Sequence, residues 1–160
     1  MRTVLIEKDG KHSINRSFTG RDASYILEKC NINVYSKPRL IIAEVDKNHP
    51  FVKVEMLMPI LGIVRVRTID EAVEEAVRAE NGCKHSAIIH SQIIRHMTLA
   101  ATALDTTIFV KNAPSYSGLG FGGEGFATLT IATPTGEGLT SARTFTRARR
   151  CVLKGDLRII

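Results

Sequence analysis

Glu55 is the first residue to need a chemical explanation, because it stands between apolar neighbours in Val54-Glu55-Met56-Leu57-Met58-Pro59. A carboxylate among apolar side chains must find a hydrogen-bond donor or lose its charge. It therefore reads as an odd core residue and as mild evidence of function. His85, His90 and His96 form a second group. The first two bracket one short strand, and a separation of five residues puts their rings on opposite faces. They are no metal pair, and each alone reads more readily as structural than catalytic. Cys30, Cys83 and Cys151 are odd in number and widely spaced, with no C-x-x-C pair and no histidine at ligand spacing. That pattern disfavours a disulfide framework and a zinc site.

Gly118-Leu119-Gly120-Phe121-Gly122-Gly123 satisfies G-x-G-x-x-G after a strand-like run. The dinucleotide fingerprint also needs a helix opening at the motif, because the pyrophosphate sits on that helix's amino terminus. Here Glu124-Gly125-Phe126 leads into a threonine-rich, strand-like run. The motif is instead expected to be a flexible or closely packed loop, of the kind that borders active sites at the carboxyl ends of parallel strands.

The elements that position these residues alternate. A helix is predicted over Gly20 to Asn31, capped by Thr19, with Ala23, Ile26, Leu27 and Cys30 on its buried face. That face makes Cys30 a core residue rather than a nucleophile. Arg39 to Val45 and Ile60 to Val66 read as strands. Thr68-Ile69-Asp70-Glu71 is a capping box for a helix bearing Ala72, Val73, Ala76 and Val77, stopped by Asn81-Gly82. Ser86 to His90 is a short strand. Ser91 caps a helix striped by Ile93, Ile94, Met97, Ala101 and Leu104, and Thr106 to Lys111 is the next strand. Strand and helix alternating with short loops define an α/β fold with a parallel sheet of βαβ units. Phe126 to Thr133 and Thr144 to Leu153 read as strands without helices, an extended β tail. The chain is thus expected to divide into an α/β part over 1–142 and a tail over 143–160. An unpaired final strand is a natural place for another subunit to add its own.

At 160 residues the chain is long enough to bury a core, and 44% hydrophobic with 24% charged residues is ordinary for a globular protein. No apolar tract reaches the roughly 20 residues of a transmembrane helix. Charges follow the initial Met1-Arg2 too soon for a secretory signal. No membrane association and a cytoplasmic location are expected. The net charge of +6 gathers near the end in Arg143, Arg147, Arg149, Arg150, Lys154 and Arg158. Only Phe145 is interleaved there, so a solvated basic strand or a subunit contact is the better reading than nucleic-acid binding.

Several strings carry a resemblance. His49-Pro50-Phe51-Val52 followed by Glu55-Met56-Leu57-Met58-Pro59-Ile60-Leu61 resembles the segment of aldehyde dehydrogenases that carries the nicotinamide-ribose-binding glutamate. Phe109-Val110-Lys111-Asn112-Ala113-Pro114-Ser115-Tyr116, Gly122-Gly123-Glu124-Gly125-Phe126, Thr133-Pro134-Thr135-Gly136-Glu137-Gly138 and the tail from Thr140 to Leu153 resemble one subgroup. These are the CoA-acylating aldehyde dehydrogenases of ethanolamine and propanediol utilisation. Hydrolytic members usually carry E-x-F-G-P, whereas Leu57 and Met58 replace Phe and Gly here, which favours the CoA-dependent branch.

The resemblance implies oxidation of a short aldehyde with NAD and CoA to an acyl-CoA, through attack by a cysteine thiolate. It implies that Glu55 binds the cofactor, its carboxylate accepting from the two ribose hydroxyls. His85, in Lys84-His85-Ser86-Ala87, matches a histidine placed near the reacting cysteine, where it would orient or deprotonate the incoming thiol. The nucleophile and the dinucleotide-binding domain lie upstream of this segment in the family, and none of Cys30, Cys83 and Cys151 stands in the nucleophile's position. A carboxy-terminal fragment, inactive alone, is therefore expected, forming a homo-oligomer and possible cargo of a bacterial microcompartment. The rival expectation is a non-catalytic assembly module.

Overall fold

The computed structural model describes residues 3–123 and 140–155. They fall into two compact units, Met1–Ala79 and Glu80–Ile160.

The first unit opens with an antiparallel hairpin, β1 (Leu5–Lys8) and β2 (Lys11–Ile14), paired from Leu5↔Ile14 to Lys8↔Lys11. Its two-residue turn is Asp9-Gly10, with φ of 53° and 71°. Both values are positive, as a turn matching the strand twist requires. A 3₁₀ turn over Arg16–Phe18 follows, capped by Asn15, whose side-chain oxygen accepts from the Ser17 N–H at 3.2 Å. Helix α1 is Ala23–Lys29, shorter than the predicted span. Thr19 does not cap it: its own N–H closes the 3₁₀ turn onto the Arg16 carbonyl at 3.2 Å, and Gly20 at φ 69° breaks the path to a helix. The buried face survives the correction. Ala23 and Ile26 are fully covered, and Cys30 packs against the cluster of Val4, Leu5, Phe18, Ile26 and Met56.

Strands β3 (Ile41–Glu44) and β4 (Ile60–Ile63) pair in parallel from Ile41↔Ile60 to Glu44↔Ile63. Between them lies a short helix that the sequence reading missed, α2 (Pro50–Lys53). His49 caps it through Nδ1, which accepts from the Phe51 N–H at 3.1 Å, and Pro50 occupies the first position, where a missing N–H costs nothing. Gly62 makes room for α2, since a Cβ there would lie 3.1 Å from both Cβ and the carbonyl oxygen of Phe51. Helix α3 (Ile69–Glu80) starts at the expected box. The Glu71 N–H donates to Thr68 Oγ1 at 3.1 Å, but the Glu71 carboxylate reaches back to the Arg67 N–H, one residue before the expected partner, at 3.0 Å. Asn81 and Gly82, at φ 56° and 78°, end it as expected.

In the second unit, β5 (Ser86–Ile89) and β6 (Ile108–Lys111) pair in parallel from Ser86↔Ile108 to Ile89↔Lys111, joined through α4 (Ile94–Leu104). The βαβ expectation holds here. Ser91 does not cap α4: Ile93 is the residue before the helix and has no side-chain cap, while Ser91 Oγ accepts from the Ile93 N–H at 3.1 Å in the turn that leads in. The stripe of α4 is shifted, however: Met97, Ala100, Ala101 and Leu104 turn inward, while Ile93 and Ile94 are exposed. Ile93 precedes the first helical turn, so helical spacing does not place it on the buried face.

The tail departs from expectation. Ala142–Phe145 is a 3₁₀ turn closed by a capping box between Ser141 and Thr144, and residues 146–154 enter no ladder among the described residues. Thr144 is used in the turn, so the expected strand cannot begin there. The predicted strand Phe126 to Thr133 lies outside the described residues.

Candidate functional site

Glu55 sits in the non-repetitive segment linking α2 to β4 and is exposed, not a core residue as its neighbours suggested. The chain resolves the conflict by alternation. Val54 packs against the core and Met56 is buried within it, so the carboxylate between them faces outward. Among the described residues it makes no hydrogen bond or ion pair. Next to it, Leu57 adopts φ 51°, a left-handed conformation unusual for a bulky residue. Its carbonyl accepts from the Gly20 N–H at 3.2 Å, which ties the loop to the end of the first 3₁₀ turn. Backbone held in such a region marks functional loops often enough to count as a pointer.

His85 stands immediately before β5 and is half-buried. Its Nδ1 lies 2.6 Å from Ser86 Oγ, while its Nε2 is buried with no hydrogen-bond partner. Buried polar groups are nearly always partnered, so a ring nitrogen left bare asks for an explanation. The segment leading to it is held firmly. Lys84 adopts φ 51°, and its carbonyl accepts from both the N–H and the hydroxyl of Thr107, at 3.0 and 3.1 Å. Its ammonium meets the Asp105 carboxylate at 2.7 Å, and the Glu80 carboxylate accepts from the Lys84 and Gly82 N–H groups. The hydrogen bond from Lys84, reinforced by its charge, holds the Asp105 carboxyl below its ordinary value. His90 follows the last residue of β5 and is exposed.

The glycine-rich loop follows β6 as a 3₁₀ turn over Ser115–Leu119, capped by Gly120 at φ 80°. The residues that follow Gly123, where a helix of the dinucleotide fingerprint would run, lie outside the described residues. Gly118 is the close approach that was expected: a Cβ there would lie 2.6 Å from Ile108 Cγ2 and 3.2 Å from Val110 Cγ2. Of the cysteines, Cys83 and Cys151 are exposed and Cys30 half-buried, all with free thiols. No cluster of three or more potential metal ligands occurs among the described residues, and no described helix is long and apolar enough to cross a membrane.

Sequence reasoning missed two supports. One is Ser86, whose hydroxyl reaches the His85 ring and whose adjacency in sequence was the available signal. The other is Leu57, whose positive φ no local pattern announces. Glu55 belongs to the first unit and His85 to the second.

The layout of this α/β segment is that of aldehyde dehydrogenases, and its relatives narrow the class. The chain is 51% identical over 155 residues to acetaldehyde dehydrogenase (acetylating) EutE of Salmonella typhimurium, covering 97% of this chain and 33% of that protein. A propionaldehyde dehydrogenase from the Clostridium phytofermentans fucose-utilisation bacterial microcompartment superposes with a TM-score of 0.82 at 55% identity, covering 88% of this chain and 32% of that one. The Rhodopseudomonas palustris propionaldehyde dehydrogenase, solved with bound CoA and an acylated cysteine, gives 0.81 at 48% identity over 88% of this chain and 32% of its own. No family model matches the chain. In sequence and in fold this chain is similar to a segment of the CoA-acylating aldehyde dehydrogenases, and it spans about a third of the length of the curated relatives it matches.

Proposed function

We propose that this chain supplies the carboxy-terminal part of an enzyme that oxidises a short aldehyde with NAD and CoA to acyl-CoA and NADH, and runs the reverse. The observation that carries this reading is identity near one half, maintained over nearly the whole chain, to acylating dehydrogenases. In it, Glu55 offers an exposed carboxylate, with no partner among the described residues, to the two hydroxyls of the nicotinamide ribose, a task suited to an acceptor-only group. His85 presents the bare Nε2 to the CoA thiol, and a neutral imidazole can take the thiol proton. NAD, when bound, accepts the hydride; CoA carries away the acyl group.

Neither residue supplies a nucleophile. Cys30 is packed against the core, and the family's reacting cysteine lies in the part of its members that precedes this segment. The chain alone therefore forms no acyl-CoA. Residues 143–160 act in association with further copies, and a cytoplasmic site, inside a microcompartment where one exists, fits the relative from such a compartment.

Segment exchange tests the reading. The corresponding third of the Salmonella relative is replaced by this chain, and CoA-dependent NADH formation from acetaldehyde and propionaldehyde is measured. The exchanged enzyme is expected to turn over, with Glu55→Gln raising the KM for NAD and His85→Ala slowing acyl transfer to CoA. A folded, soluble exchange protein that stays inactive would favour a non-catalytic assembly role instead.

A further inference from the structure

We infer that Ser86 is a positioning residue for His85: its hydroxyl accepts from the Nδ1–H and so holds the ring in the tautomer whose Nε2 carries a lone pair. The inference rests on the role proposed above for His85 and adds to it the residue that sets the ring's protonation pattern.

A neutral imidazole has one donor and one acceptor nitrogen, and the bond made by one decides what the other presents. Among the described residues the His85 ring makes one hydrogen bond, Nδ1 to Ser86 Oγ, at 2.6 Å. A hydroxyl can serve that bond in either direction, so the choice falls to the other partners of the two groups. Ser86 is exposed, so its O–H can donate to solvent when Nδ1 carries the proton and to Nδ1 when it does not. Nε2 is buried and meets no acceptor that an N–H would need. An orphaned buried N–H is rarer and costlier than an acceptor left under-satisfied. The bare nitrogen therefore holds the lone pair, the proton sits on Nδ1, and Ser86 accepts it. This is the form a base requires. Nε2 takes the proton of an incoming thiol and the ring becomes imidazolium, its positive charge met by the hydroxyl oxygen at Nδ1. No electrons are transferred in that step, and the thiolate is left free to attack.

The backbone is built to keep this arrangement. Lys84, at φ 51°, is fixed by Thr107 and Asp105, so the residue before the ring has little freedom to turn. Ser86 is the first residue of β5, in register with Ile108, so the residue after the ring is fixed as well.

The first experiment reads the tautomer directly, by ¹⁵N chemical shifts of His85 in the labelled 160-residue chain with the ring neutral. The expected result is a protonated Nδ1 in the parent and in Ser86→Thr, and a move towards the Nε2–H form, favoured by free histidine, in Ser86→Ala. Circular dichroism checks that the variants remain folded. An Nε2–H tautomer in the parent, or the same tautomer in all three, overturns the inference. The second experiment uses the exchanged enzyme and single-turnover kinetics. Ser86→Ala should slow acyl transfer to CoA about ten-fold and shift its pH profile, leave the hydride step unchanged, and be rescued by Ser86→Thr. If the tautomer moves but acyl transfer does not, the catalytic role given to His85 fails, and with it the functional part of this inference.

Discussion

Asn112 closes the end of the β5–β6 sheet onto Ser91. Its side-chain oxygen accepts from the Ser91 N–H at 2.8 Å, and its side-chain nitrogen donates to the Ser91 carbonyl at 2.8 Å. The amide thus continues the ladder beyond Lys111 as one more pair of strand-like bonds. The Asn112 backbone, at φ 55°, adopts a conformation that asparagine tolerates better than most residues.

Asn112→Ala should therefore cost about 1–2 kcal/mol, from two exposed hydrogen bonds and a left-handed backbone. Asn112→Gly should recover the backbone share and be the milder change. Urea denaturation of both variants checks the order, and Ala milder than Gly would refute the account.

Gly118→Ala should destabilise by about 1–3 kcal/mol through overpacking. The new methyl would collide with Cγ2 of Ile108, which is buried and stiff at χ1. Because Ile108→Ala removes that atom, the double variant should cost less than the sum of the two single changes. Strict additivity in a double-mutant cycle would place the strain elsewhere.

Leu57 is exposed and left-handed, so its side chain contributes little while its backbone is strained by about 1–2 kcal/mol. Leu57→Gly should be more stable than Leu57→Ala by about 1 kcal/mol, since only glycine adopts that φ without strain. Thermal denaturation of the pair is the check; equal melting temperatures would contradict it.

Glu75 governs part of the acid response. The Lys47 hydrogen bond at 2.7 Å, and then that from Arg78, hold its carboxyl below the ordinary 4.5. A carboxylate with a lowered folded value binds fewer protons folded than unfolded. Its contribution is thus complete above about pH 4.5 and lost as pH falls through the lowered value. Glu75→Gln should lower the melting temperature at pH 7 and converge on the parent near pH 2. The neutral difference should shrink in molar salt, because the pair is screened. A difference that persists unchanged into acid would overturn this.

Deletion of residues 144–160 should move the chain from dimer or larger towards monomer or insoluble protein. Phe145, Val152 and Leu153 are exposed at 70%, 77% and 58%, with no ladder beside them among the described residues. Sedimentation equilibrium on both lengths decides it. A monomeric intact chain across the micromolar range would leave the tail a solvated extension.

Much of this protein was legible in its residues alone. Apolar spacing located α1, α3 and α4, the Thr68 box and Asn81-Gly82 bounded α3, and the threonine-rich, strand-like sequence after the glycines argued against the dinucleotide reading. These are local properties, set by side-chain period and cap chemistry within a few residues. The Asp9-Gly10 hairpin and the His49-Pro50 helix start were equally local and went unread.

Tertiary structure alone decided the rest. Glu55 faces solvent because Met56 takes the core position and Leu57 turns the chain, which depends on contacts with Gly20 and α1's surroundings far along the sequence. Gly118 is a close approach because β6 lies beneath it. A strand exists only where a second edge completes its ladder, so residues 146–154 carry strand-like sequence without strand pairing in the described chain. His85 could be picked out as a histidine before a strand. That one of its nitrogens is bonded and the other buried and bare follows only from what the fold packs around it.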